Sequence, residues 1–171
     1  MGKKHPNVTN LNEVEPRVVA KGKKFGFTGK RLGPASGAVS LGCSWYEIPP
    51  GKTAFPNHYH CANEEGLFIL EGTGEARIDQ DKVTVEQGDY LAYPVGPEHS
   101  HSLKNTVSVP LKYICISTML TTEVVGYPDS KKLAAAGLAD PKTGIMGAKI
   151  KFIIKEQPSV DYYEGEDVGE V

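Results

Sequence analysis

The chain has 171 residues, a length that suits one domain built round one core. Its 19 basic and 21 acidic residues leave a net charge of -2 and a pI near 6.2, so nothing in the charge balance favours nucleic acid or an anionic membrane as partner. No apolar run reaches the roughly 20 residues that span a bilayer, and the start MGKKHPNVTN lacks a secretory hydrophobic segment, so a cytoplasmic chain with a small-molecule ligand is the expectation.

Residues 1–37 are polar and punctuated by glycine and proline, and they read as an N-terminal arm. Within them, residues 17–31 (RVVAKGKKFGFTGKR) hold six basic residues and no acidic one. That stretch suits an arm lying along the barrel, or a surface that docks phosphate or acidic groups. From residue 38 to 125 the pattern changes to short apolar runs separated by turn residues: GAVSLGCSWYEI, GLFILEG, GEARID, KVTVEQG, DYLAYPVG, HSLKN and LKYICISTM. Runs of that length and spacing predict an all-β sandwich or barrel. Val83 and Val85 alternate with polar neighbours as a half-buried strand should, and a hairpin is expected to turn near Gln80 and Asp81. Residues 126–171 form a C-terminal extension packing on the barrel. In it SKKLAAAGLAD (130–140) has helical composition, IKFIIKE (150–156) reads as a late strand, and DYYEGEDVGEV is an acidic tail. Cys43, Cys61 and Cys115 form neither an even set nor a CxxC pair, and they read as reduced, mostly buried thiols.

The chemistry concentrates in PNHYHCANEEGLFILEG. Side chains two apart on a strand share a face, so His58 and His60 can offer two imidazoles to one ion. After the short loop Cys61-Ala62-Asn63, either Glu64 or Glu65 can add a carboxylate. If Glu65 points inward, Leu67 and Ile69 follow it as core, whereas Glu64 would send Gly66 inward with no side chain. Parity therefore favours Glu65. A further ligand is expected from GDYLAYPVGPEHSHSLKN, where His99 and His101 are again two apart. Imidazoles with one carboxylate suit a divalent transition ion, one per chain, with iron, manganese, nickel, cobalt and zinc all compatible.

These two stretches resemble the paired signature motifs of the cupin superfamily. The first runs Gly51, six residues, His58-Tyr59-His60, four residues, Glu65, six residues and Gly72, one residue longer than the family pattern in the loop after Gly51. The second runs Gly88, five residues and Pro94-Val95-Gly96. His99 then satisfies the gap from Gly96, while His101 satisfies the gap to Asn105. An insertion is absorbed more easily in a turn than in a strand, which favours His101 as the ligand and leaves His99 at the rim. The resemblance extends to the flanking segments, which are similar to small single-domain bacterial cupins. It implies a six- to eight-stranded double-stranded β-helix, a jelly-roll-like barrel with the site in its mouth, and a homodimer. It implies a metal set of His58, His60, Glu65 and His101. Cupins include isomerases, lyases, decarboxylases, dioxygenases and plain binding proteins. The reading for this chain is a metal-dependent isomerase or lyase acting on a small oxygenated metabolite such as a sugar phosphate, with Glu64, Glu98 or His99 at the rim as the catalytic base. An Fe(II) dioxygenase and a non-enzymatic binding cupin are the alternatives.

Overall fold

The structure, a computed structural model, describes residues 5–140, 143, 147–167 and 169. Strands dominate it. A six-stranded antiparallel sheet is built from β1 (Arg17–Lys21), β2 (Phe25–Arg31), β3 (Leu41–Ile48), β10 (Leu111–Thr118), β5 (Glu65–Glu71) and β8 (Tyr90–Tyr93), in that spatial order. Facing it, a three-stranded sheet runs β7 (Asp81–Glu86), β6 (Thr73–Ile78), β9 (His101–Asn105). A four-stranded sheet runs β13 (Ile150–Lys155), β12 (Lys132–Gly137), β11 (Glu123–Tyr127), β4 (Tyr59–His60). The bridge between His58 and His101 links these two smaller sheets, because His58 directly precedes β4 while His101 opens β9. The result is the double-stranded β-helix. Among the described residues there is one helical turn, α1 (Leu32–Ala35), and short 3-10 turns include those at Leu11–Glu13, Pro97–His99 and Pro128–Ser130.

The inner rows explain the core. Strand parity places Ile69 opposite Tyr113, and Leu67 opposite both Cys115 and Leu91, with Ile48, Leu103 and Leu111 completing a buried apolar centre. Leu67 and Ile69 are buried while Phe68 between them is exposed, so Glu65 shares the inner face. On that same face Gly29 stands opposite Tyr46, and a Cβ added at Gly29 would come within 2.7 Å of the Tyr46 ring. Gly29 therefore lets the tyrosine lie across β2, where it stacks on Tyr113 with ring centroids 5.2 Å apart.

Several expectations change. The Ala- and Lys-rich segment 130–140 is not a helix: its residues 132–137 are β12, hydrogen-bonded to β11 on one side and β13 on the other. Two ladders outweigh a helix propensity of a few tenths of a kcal/mol per residue. Residues 17–31, expected as an arm, form β1 and β2 and extend the large sheet from β3. The described strands number thirteen rather than six to eight, because the flanking segments add β1, β2 and β11 to β13 to the motif-bearing barrel. The cysteines are free, but Cys61 is exposed rather than buried. Tyr162 and Tyr163 are exposed and pack edge-on against each other. No helix among the described residues is long and apolar enough to cross a membrane.

Asn105, fully buried, fastens the end of β9. Its amide donates to the Ile48 carbonyl at 2.9 Å and the Val109 carbonyl at 2.7 Å, and its side-chain oxygen accepts from the Val107 N–H at 3.0 Å. Asn105→Ala would strand those backbone groups without partners, and we expect it to destabilise the fold by about 2–4 kcal/mol. Urea unfolding followed by tryptophan fluorescence and circular dichroism measures this, and a loss below about 1 kcal/mol would contradict the role of the clamp.

Candidate metal centre

His58 and His101 face each other as a hydrogen-bonded antiparallel pair: the His58 N–H donates to the His101 carbonyl at 3.1 Å, and the His101 N–H donates to the His58 carbonyl at 2.7 Å. Directly opposed residues project to the same side, so the two imidazoles come together with ring centroids 4.6 Å apart. His60 follows on the face of His58, and Glu65 opens β5 on the inner face of the large sheet. Together His58, His60, Glu65 and His101 offer four ligand atoms that all lie within 4.8 Å of one another. Glu65 Oε2 stands 3.4 Å from His101 Nε2 and 3.7 Å from His60 Nε2.

The tautomers are set from behind. His58 Nδ1 lies 2.9 Å from the Pro56 carbonyl, and His101 Nδ1 lies 2.9 Å from the His99 carbonyl. A carbonyl only accepts, so each Nδ1 carries the proton when the ring is neutral and each Nε2 keeps its lone pair for the cluster. His101 is held further by Tyr93, whose ring stacks on it at 3.7 Å and nearly parallel. For His60 the partner is a carboxylate, Glu123 at the head of β11, with Oε2 3.3 Å from Nδ1. That pair is within ion-pair reach but not aligned as a good hydrogen bond, and both ring nitrogens of His60 are buried without a hydrogen-bond partner among the described residues. A buried imidazole with an orphaned Nε2 pointed at a carboxylate and two other Nε2 atoms fits a divalent cation. The cluster is thus able to hold a metal ion.

Glu123 is the functional residue that the motif spacing does not reveal. It is buried, and its carboxylate accepts the N–H groups of Cys61, Ala62 and Asn63 at 3.1, 3.0 and 2.9 Å, together with the Asn63 side-chain amide. It thereby shapes the loop that joins His60 to Glu65. The available signal was parity: in Glu123-Val124-Val125 the acid shares a face with a core valine, an unusual place for a charge.

Burial opposes charge throughout this site, and the neighbours decide each outcome. Burial and then the adjacent His101 push His58 down to about 4, so it is neutral at neutral pH. For Glu65, burial would raise the pKa, but His101 at its oxygen and the surrounding imidazoles, in their protonated forms, hold it down to about 2. For His60, burial lowers and the Glu123 and Glu65 carboxylates raise, with the rise prevailing. Burial raises Tyr46 to about 12, with a further push from Cys115, so its phenol stays protonated. Burial and then Glu65 likewise raise Cys115, whose Sγ lies 3.8 Å from Glu65 Oε1.

Two cavities meet at this cluster. An inner one of about 210 Å³ is walled by His58, His60, Glu65, His101, Tyr46 and Phe55. An outer one of about 360 Å³ shares Tyr46, His60 and Glu65 and continues past Asn63 and Thr118 to Arg17 and Arg31. The structure brings His58, His60, Glu65 and His101 together and does not bring Glu64, Glu98 or His99 to either cavity. Glu98 and His99 sit on the 3-10 turn Pro97–His99, with Glu98 Oε1 3.7 Å from His99 Nε2; the Glu98 side chain is open to solvent and that of His99 is half-buried.

Fold and site define a class: double-stranded β-helix proteins with a three-histidine, one-carboxylate cluster in the barrel mouth. Residues 44–117, a little under half of the chain, match the family model described as the cupin domain. Over 71 residues, 41% of this chain, it is 40% identical to an uncharacterised protein of Methanocaldococcus jannaschii, and the match spans about half (54%) of that protein's length. Two solved structures share the fold over nearly the whole chain. One, from Acidithiobacillus ferrooxidans and provisionally called a sugar phosphate isomerase, has a TM-score of 0.74 at 20% identity, covering 91% of this chain and 97% of its own. The other, a sugar phosphate isomerase from a cupin superfamily in Silicibacter pomeroyi, has a TM-score of 0.72 at 22% identity, covering 92% and 93%.

A raised His60 pKa stabilises the metal-free fold below the ordinary value of 6.5, and that contribution fades as pH rises through the folded value. A metal takes the unprotonated ring. Binding should therefore release a proton from His60 at mildly acidic pH and weaken as pH falls, which calorimetry in buffers of different ionisation enthalpy detects. Glu123→Gln should lower metal affinity by about 10–100-fold and lessen this proton release. Unchanged affinity and unchanged proton release in Glu123→Gln would deny the carboxylate its orienting role.

Proposed function

We propose that the protein is a metal-dependent enzyme that holds one divalent transition ion per chain through His58, His60, Glu65 and His101 and moves a proton next to a carbonyl of a small oxygenated metabolite. The observation that carries this reading is the convergence of three Nε2 atoms and one carboxylate at the floor of a cavity large enough for a small metabolite. An ion bound there supplies Lewis-acid polarisation of a substrate oxygen, as isomerase and lyase chemistry requires. The chain's own groups orient and shield the substrate. Tyr46, kept protonated, presents a hydroxyl donor beside the cluster to orient a substrate oxygen. The aromatic wall of Phe55, Tyr46 and Tyr113 keeps bulk water from the inner cavity. Sugar phosphates are the substrate class named for both structures of similar fold, and we carry that class to this chain as part of the proposal.

A homodimer completes the reading. Trp45, Ile114, Phe68 and Tyr90 form one row across the outer face of the large sheet, and Phe68 and Tyr90 are exposed. A continuous apolar row of this kind suits a subunit interface. A solution mass near 18.5 kDa by light scattering would remove the dimer.

Elemental analysis of protein purified without chelator tests the metal reading. We expect close to one ion per chain in the parent and in His99→Ala, and little metal in His58→Ala and His101→Ala. The thermal midpoint of the parent and of His99→Ala should rise when metal is added, while the two ligand variants should not respond. Equal metal in all four proteins would overturn the assignment. Iron accompanied by oxygen uptake would replace the isomerase or lyase reading with a dioxygenase.

A further inference from the structure

The register of the large sheet places two arginines on the face that carries Glu65. Arg17 stands opposite Gly29, Gly29 opposite Tyr46, and Tyr46 opposite Tyr113, which is buried in the core. Arg31 stands opposite Ser44, Ser44 opposite Cys115, and Cys115 opposite Leu67. Residues directly opposed across a sheet share a face, so Arg17 and Arg31 project on the inner side, at the open end of the barrel. Both line the 360 Å³ cavity whose far wall is His60 and Glu65.

We infer that Arg17 and Arg31 form the subsite for the anionic group of the substrate, an oxyanion of the phosphate monoester or carboxylate type. This inference rests on the proposed role of the adjacent cluster as the reacting centre. The guanidinium fork is the side chain best matched to such oxygens, and it stays charged at every physiological pH. The Arg17 charge is felt inside the site, since it acts on the Tyr46 phenol. Arg31 is oriented from the opposite side by donating to the Thr143 carbonyl at 3.2 Å. Asp140 lines the same cavity and keeps it from being uniformly cationic. Polar side chains between the two ends, from Asn63, Thr118 and Thr121, suit the hydroxyls of a short oxygenated chain. The geometry thus orders a substrate: oxygens to be polarised at the cluster, anionic end at β1 and β2.

Inorganic phosphate and acetate are the probes, titrated calorimetrically into the full chain at low ionic strength. Binding of either anion should weaken about tenfold in Arg17→Gln and in Arg31→Gln and more in the double variant, in line with the loss of charge-assisted hydrogen bonds. Arg17→Lys and Arg31→Lys, which keep the charge and lose the fork, should fall between. Lys104→Gln alters a separate cationic groove shared with Lys24 and Lys132, and it should bind like the parent. Manganese in the cluster should broaden the phosphorus resonance of bound phosphate in the parent but not in His101→Ala. Broadening absent while arginine-dependent binding persists would defeat the metal reading and leave the anion subsite standing. Binding that ignores both arginine substitutions, or that vanishes in Lys104→Gln instead, would overturn the subsite, as would a parent that binds neither anion.

Discussion

Two backbone hydrogen bonds between His58 and His101 carry more of this molecule than their length implies. They are the point where the loop before β4 meets β9, and so where the two smaller sheets become one wall of the barrel. The same pairing fixes the side-chain direction of two of the four cluster residues. Closure of the fold and convergence of these two donors therefore rest on one backbone pairing.

The remaining two donors depend on a carboxylate from outside the motif-bearing strands. Glu123 gathers three consecutive backbone N–H groups of the loop at residues 61–63 and faces the rear nitrogen of His60. Asn63 passes the connection on, accepting from the Thr118 hydroxyl and the Leu120 N–H. The loop that spaces His60 from Glu65 is thus tied at both ends, to β11 and to the exit of β10. A short network of backbone and side-chain hydrogen bonds of this kind gives the loop a rigidity that the four ligating side chains alone would lack.

Much of this was legible in the residues. Alternation in Glu65-Gly66-Leu67-Phe68-Ile69 selected the inward glutamate, because a two-residue period leaves only one choice that buries leucine and isoleucine. The preference for His101 over His99 rested on strands resisting insertion, and the structure puts His101 in the cluster and His99 on a solvent-facing turn. What stayed hidden were contacts made across long sequence distances. Nothing local marks Arg17 or Arg31 as lining one cavity with Glu65, since their meeting depends on strand pairings in series, three for Arg31 and four for Arg17. The Ala-rich segment misled because its composition speaks to a lone helix, whereas its fate was set by two partner strands. Glycine and lysine in β1 and β2 looked like an arm because a half-covered strand beside a tyrosine that needs Gly29 carries little apolar alternation.

The 3-10 turn at Pro97–His99 shows where this architecture can change length without changing chemistry. Downstream, His101 is fixed by its pairing with His58 and Asn105 by its buried amide; upstream, the Gly96 N–H donates to the His60 carbonyl. Between those anchors Pro97 and Glu98 face solvent, and no side chain of the segment 97–100 lines either cavity. Residues gained or lost there alter the rim and spare the register, so this turn is an evolutionary expansion joint. A family built on this barrel can remodel the approach to its pocket at that point while the donors beneath it stay in place.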